Sequence, residues 1–125
     1  PNIDALAARA ALFEHASAAA PVTQPSLASL LTGRYPGSHP VRFNGMRLPG
    51  DVPVLAESLA AAGYGTGAFY GNVLLAPGSG LERGFQAYTS FVSLAGPSDA
   101  RGAEQARGWL SWPQPEPWFL WVHFM

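Results

Sequence analysis

A threonine at the predicted start of a helix is the residue here that could do chemistry. Residues 23–26 read Thr-Gln-Pro-Ser, and an apolar stretch follows as far as Gly33. We predict a helix from about Pro25 to Thr32, because proline favours the first helical turn and glycine often follows the last. A helix start presents unpaired N–H groups and a partial positive charge that attract phosphate or sulfate groups. The Thr23 hydroxyl could therefore bind or attack such an anion, or it could simply cap the helix.

Other polar residues lie in a long predicted loop over residues 35–51, and loops of this length often carry function. The side-chain NH₂ of Asn44 could donate a hydrogen bond to a substrate oxygen, although Asn-Gly is also a common turn pair. We expect His39 to be solvent-exposed or packed within the loop, because a lone histidine without partners does no chemistry. Asp4 and Asp51 are predicted to begin helices rather than to bind a metal. His15, His123 and the four tryptophans are expected to be packing residues.

The composition excludes several classes of function. The chain has 125 residues, of which 48% are hydrophobic and only 12% charged, about half the charge of an average domain. A net charge of −1 gives no electrostatic basis for binding nucleic acid. The absence of cysteine excludes a thiolate nucleophile and thiolate metal ligands. No apolar run reaches the length of about 18 residues that a membrane span needs, so we expect no membrane segment in this chain.

The hydrophobic pattern predicts alternating helices and strands. Helices are expected near residues 3–10, from Asp51 to residue 62, and over residues 99–112; strands are expected at 11–17, Thr66–Tyr70, Gly84–Tyr88 and 118–125. The last strand is almost wholly apolar, which is typical of a sheet covered on both faces. This alternation predicts an α/β fold with a mostly parallel sheet flanked by helices.

Several blocks of the sequence, in order, resemble the sulfatase family of the alkaline phosphatase superfamily. The segment from Thr23 to residue 36, which contains Leu-Leu-Thr-Gly-Arg-Tyr-Pro, is similar to the sulfatase active-site signature. Residues 1–7, 12–16, 41–45, 61–69 and 119–123 continue the resemblance over essentially the whole chain. The resemblance implies part of a large α/β sandwich. Residues 1–125 would then be a partial N-terminal catalytic domain, truncated at both ends.

The resemblance also implies an activity and a site. Members of this family hydrolyse sulfate or phosphate esters with a bound divalent metal ion such as calcium, magnesium, manganese or zinc. Thr23 takes the position of the nucleophile and of one metal ligand, the other ligands being expected outside this chain. Asn44 matches a residue that contacts a non-bridging oxygen of the substrate, a small-molecule or glycan sulfate or phosphate ester.

Two positions differ from the usual sulfatase pattern. Ordinary sulfatases carry at the position of Thr23 a cysteine or serine that is converted to formylglycine, and a threonine excludes that conversion. The sequence is closest to a sulfatase-like subgroup with an unmodified threonine. Leu27 stands where the family has arginine and the subgroup commonly has histidine. The alternative is therefore a catalytically inactive sulfatase-like module that binds an anion or a partner.

Overall fold

The computed structural model describes residues 1–93 and 96–125. It contains four helices and five strands in these ranges, together with a 3₁₀ turn at Val73–Leu75. The helices are α1 (Asn2–Ala7), α2 (Thr23–Thr32), α3 (Leu55–Ala61) and α4 (Asp99–Ser111), and the strands are β1 (Gly65–Tyr70), β2 (Ala87–Ser90), β3 (Val92–Ser93), β4 (Gly96–Pro97) and β5 (Trp118–His123).

A parallel sheet in the order β2-β1-β5 forms the centre of the fold. Gly67 pairs with Ala87 on one side and with Leu120 on the other. Every residue of β1 is buried, as expected for a central strand covered on both faces. This arrangement, with helices against the sheet, confirms the predicted α/β class. Strands β3 and β4 form a separate antiparallel pair.

Alternate residues along the strands build two cores on opposite faces of the sheet. Phe69 joins Phe91 and Ala106 in the core beneath α4. Tyr70 faces the other way, into a larger core that includes residues of α2, the loop after it and the 3₁₀ turn. The buried hydrophobic residues of this larger core are Ala28, Leu31, Val41, Leu48, Val52, Val54, Tyr70, Leu75 and Leu81. Ala28 and Leu31 thus hold α2 against the body of the protein.

The predicted strand at residues 11–17 is wrong. The segment has no regular secondary structure, and its two large apolar side chains, Leu12 and Phe13, are 70% and 81% exposed. A strand is stable only when a neighbouring strand pairs with it. No strand in the described part of the chain does so here.

Among the element boundaries that differ from prediction, those of α3 and β2 have an identifiable cause. Helix α3 begins at Leu55, not at Asp51, and its first turn is closed by Glu57, whose Oε2 accepts a hydrogen bond from the Val54 N–H at 2.9 Å. Strand β2 begins at Ala87 because Gly84 has a φ of +81°, which is incompatible with a strand.

The expected packing roles are only partly correct. Trp109 and Trp121 are partly buried and pack against the two cores, but Trp112 is 73% exposed and Trp118 46% exposed. His15 is exposed rather than packed. His123 is partly buried beside the Trp121 ring, and burial lowers its pKa.

Candidate active site

Thr23 is the first residue of α2, and it does not cap the helix. The capping position belongs to Val22, which is extended and offers no side-chain hydrogen bond. The first hydrogen bond of the helix runs from the Ser26 N–H to the Val22 carbonyl, at 3.1 Å. The half-buried Thr23 side chain makes no hydrogen bond with the described residues. The capping interpretation is therefore wrong, and the hydroxyl is available for chemistry.

The sequence explains where α2 starts and stops. Pro25 is buried in the first turn, where its missing N–H leaves no donor unpaired. Gly33 ends the helix with a φ of +67°, and its N–H donates to the Ser29 carbonyl at 2.9 Å. A left-handed glycine after the last turn is the predicted stop signal.

Asn44 lies against this helix start. Its Oδ1 accepts a hydrogen bond from the backbone N–H of Gln24 at 2.9 Å. Its side-chain NH₂ makes no hydrogen bond with the described residues, and the residue is exposed. Gly45 has a φ of +89°, so the Asn-Gly pair is also a turn. The structure thus places Asn44 beside the residue that follows Thr23, with one end of its amide anchored and the other free.

The first turn of α2 has fewer free backbone N–H groups for an anion than the sequence alone suggests. The Gln24 N–H is occupied by Asn44, and Pro25 has none. The Thr23 N–H remains, together with the partial positive charge of the helix start. Three donors near the helix start thus have no partner among the described residues: the Thr23 N–H, the Thr23 hydroxyl and the Asn44 NH₂.

Leu27 lies one turn beyond Thr23 on the same helix and is partly buried against the larger core. An apolar side chain cannot donate a hydrogen bond to an oxyanion. The position that carries arginine or histidine in the resembling family therefore serves packing in this protein.

The described residues form only a fraction of a metal site. No three His, Asp or Glu side chains within those residues come together as a metal-binding group. The Thr23 oxygen is of the kind that a hard cation prefers, but calcium takes six to eight such ligands. Asp4 and Asp51 are both exposed. The donor set of the described residues is thus too small to hold a divalent ion by itself.

His39 is buried and packed within the loop, which is one of its two predicted environments. The other prediction, exposure to solvent, is wrong. It is 2% exposed, and its Nε2 lies 2.9 Å from the Ser29 hydroxyl. Its Nδ1 has no hydrogen-bond partner among the described residues. Burial, and then the charges of Arg42 and Arg34, lower its pKa. Because the ring contacts Ser29 and not Thr23, His39 is not the base for the candidate nucleophile.

Sequence reasoning gave no role to Gln24, whose buried amide contacts two other segments of the site. No pattern in the sequence distinguishes it from any other polar residue in a helix.

The structure describes no helix with the length and apolar character needed to cross a membrane in residues 1–93 and 96–125.

Comparison with known proteins identifies the family of the chain. The sulfatase family model matches residues 1–125. An ulvan-active sulfatase of Formosa agariphila is 42% identical over 72 residues, which are 58% of this chain and 14% of that protein. A Δ4,5-hexuronate-2-O-sulfatase of Bacteroides thetaiotaomicron is 37% identical over 67 residues, 50% of this chain and 14% of that protein.

The match to each relative spans about one seventh of that protein's length. No solved structure matches the chain significantly. Since the family model matches the chain from its first residue to its last, this protein belongs to the sulfatase family.

Proposed function

We propose that the protein hydrolyses sulfate or phosphate esters with Thr23 as the nucleophile. The observation that carries this proposal is the Thr23 hydroxyl, which lies at the start of α2 and is not used for capping. The sulfatase family membership supports ester hydrolysis. The two relatives are named for ulvan and for a hexuronate 2-O-sulfate, so a glycan sulfate is the first substrate class to test.

The reaction would proceed in two steps. The Thr23 oxygen bonds to sulfur or phosphorus as the bond to the ester oxygen breaks, and the proton lost from the Thr23 hydroxyl leaves on the alcohol. Water then attacks the esterified Thr23, releases the inorganic anion and restores the hydroxyl. The Thr23 N–H and the Asn44 NH₂ would donate hydrogen bonds to the non-bridging oxygens, where negative charge develops.

Activation of the hydroxyl needs a further group. A threonine hydroxyl is a weak nucleophile until a base or a metal lowers its pKa. No described histidine or carboxylate hydrogen-bonds Thr23. We propose that a divalent ion (calcium, magnesium, manganese or zinc) takes Thr23 as one ligand and carboxylates of the complete protein as the others. When bound, such an ion would polarise the ester oxygens and favour the alkoxide.

An inactive anion-binding module is the second candidate. Leu27 favours it, because this side chain packs into the core and offers no donor to a substrate. Such a protein would bind inorganic sulfate or phosphate without cleaving an ester.

The test compares Thr23→Val with Thr23→Ser in the full-length natural protein, with nitrophenyl sulfate and nitrophenyl phosphate as separate substrates. The valine variant keeps the shape but lacks the hydroxyl, and we expect its turnover to fall roughly a thousandfold or more. The serine variant should keep measurable turnover. Mass spectrometry of acid-quenched protein should find a sulfo or phospho group on the peptide that contains Thr23.

Turnover in Thr23→Val within a few-fold of the wild type would exclude Thr23 as the nucleophile. A wild-type protein that binds sulfate or phosphate but cleaves neither ester would support the inactive module.

A further inference from the structure

One buried amide joins three segments of the candidate site. Gln24 is only 5% exposed. Its Nε2 donates to the Leu74 carbonyl at 2.6 Å, and its Oε1 accepts from the Gly45 N–H. Its backbone N–H donates to the Asn44 Oδ1 at 2.9 Å. The start of α2, the Asn44-Gly45 turn and the 3₁₀ turn at Val73–Leu75 are therefore connected through this residue.

These contacts fix the orientation of the Gln24 amide. One end meets a donor and the other an acceptor, so a flipped amide would place like groups against each other at both ends. A buried polar group that loses its partner is also strongly unfavourable. Both backbone partners therefore hold the side chain in a single arrangement.

The 3₁₀ turn offers Gln24 a firm attachment point. The Asn72 side chain accepts a hydrogen bond from the Leu74 N–H at 3.0 Å. Leu75 is fully buried, and its carbonyl accepts a hydrogen bond from the Tyr88 hydroxyl at 2.7 Å. The Leu74 carbonyl is thus fixed between an Asn-capped turn and the core.

We propose that Gln24 is a positioning residue that holds Asn44 against the start of α2, beside Thr23. Hydrogen-bond donors stabilise a transition state best when they are already in place before the reaction. Gln24 fixes Gly45 through its side chain and Asn44 through its backbone, and so prevents this exposed turn from moving away from the helix. The catalytic consequence rests on the function proposed above, whereas the structural consequence does not.

The structural test is hydrogen exchange in the full-length protein, comparing the wild type with Gln24→Met. Methionine fills a similar volume but accepts no strong hydrogen bond, so exchange in the peptide covering residues 43–46 should accelerate about three- to tenfold, the equivalent of one lost hydrogen bond. Thr32→Val is the matched control. Thr32 lies on the same helix, and its hydroxyl donates to the Ala28 carbonyl at 2.6 Å. Removing this hydroxyl should leave the exchange rate of residues 43–46 unchanged. Unchanged exchange in Gln24→Met would overturn the proposal, whether or not the protein is active.

The catalytic test is a double-mutant cycle with Asn44. We expect Gln24→Met to lower kcat about tenfold while KM stays within about threefold, because the lost positioning acts on the transition state. Gln24→Met should have little further effect when Asn44→Ala is already present.

Failure of the positioning role can be distinguished from failure of the proposed hydrolysis. Fully additive effects of Gln24→Met and Asn44→Ala on kcat would overturn the positioning role in an active enzyme. A wild type without turnover would refute the proposed hydrolysis alone, and faster exchange at residues 43–46 in Gln24→Met would still support the positioning role.

Discussion

At the residue scale, Ser29 determines which nitrogen of His39 carries the proton. The Ser29 hydroxyl donates its hydrogen to the Pro25 carbonyl at 3.0 Å, so it has only lone pairs for the His39 Nε2 at 2.9 Å. Both Ser29 contacts are hydrogen bonds when the His39 Nε2 donates to the Ser29 oxygen, and the buried Nδ1 is then an acceptor without a partner among the described residues. Protonation of Nδ1 would create a buried cation, which burial and the charges of Arg42 and Arg34 both disfavour.

This arrangement predicts a loss of stability in mild acid. The folded-state pKa of His39 is lowered from 6.5, so the unfolded chain takes up the proton first as pH falls. The contribution of neutral His39 is complete above about pH 6.5 and is lost below it, towards the folded-state pKa. We expect the melting temperature to decrease as the pH falls from about 7 to about 5. The decrease should be less steep in His39→Gln, because the glutamine amide N–H can replace the Nε2–H without titrating.

His15→Gln is the matched control, because His15 is exposed. It should show the wild-type pH dependence. Some dependence should remain in His39→Gln, since burial also lowers the pKa of His123. An identical slope in His39→Gln and the wild type would contradict the assignment.

At the element scale, two glycines of α4 have opposite environments. A Cβ atom at Gly102 would lie 2.6 Å from a ring atom of Phe91, which is fully buried. Gly71 closes the other side of the same ring, since a Cβ there would lie 2.5 Å from it. The ring therefore has little room to move. A Cβ at Gly108 would meet nothing within 4 Å.

Alanine at these two positions should change stability in opposite directions. Alanine is favoured over glycine inside a helix by about 1 kcal/mol, which should stabilise Gly108→Ala by about 0.5–1 kcal/mol. Overpacking costs about 1–3 kcal/mol, so Gly102→Ala should be destabilised by up to about 2 kcal/mol after the helix preference is subtracted. Denaturant unfolding of both variants measures the difference. Stabilisation of both would mean that α4 is not packed on Phe91 as described.

At the scale of the whole molecule, the elements that local signals define were predicted and those that depend on partners were not. The end of α2 at Gly33 and the buried strand β1 follow from a C-terminal glycine and an apolar run. The strand expected at residues 11–17 has an apolar centre but no described strand to pair with. Asp51 is a good helix-start residue, yet Glu57 closes the first turn of α3 instead.

The candidate site divides in the same way. The position of Thr23 at a helix start follows from local sequence, because Pro25 and Gly33 define the helix. The approach of Asn44 to Gln24 spans 20 residues and depends on the path of the intervening loop. No local rule predicts that path, and the bridge from Gln24 to Leu74 spans 50 residues.

Arg83 connects the loops of the larger core to α3. Its guanidinium donates to the Val52 carbonyl at 2.6 Å, the Pro49 carbonyl at 3.2 Å and the Gly80 carbonyl at 3.0 Å. It also forms an ion pair with Glu57 at 3.1 Å, in which the Glu57 side chain is 37% exposed. Exposed ion pairs contribute little, whereas hydrogen bonds from a charged group to carbonyls shielded from water contribute more.

Separate substitutions of Arg83 and Glu57 should therefore show that the carbonyl contacts of Arg83 contribute more to stability than its ion pair with Glu57. Arg83→Lys keeps the charge but loses the planar fork that reaches several carbonyls, and we expect it to lower the free energy of unfolding by about 2 kcal/mol. Glu57→Gln removes the charge but keeps an oxygen for the Val54 N–H, so its loss should stay below about 1 kcal/mol. Denaturant unfolding of the two variants compares the losses directly. Equal losses would show that the ion pair, and not the carbonyl contacts, joins these loops to α3.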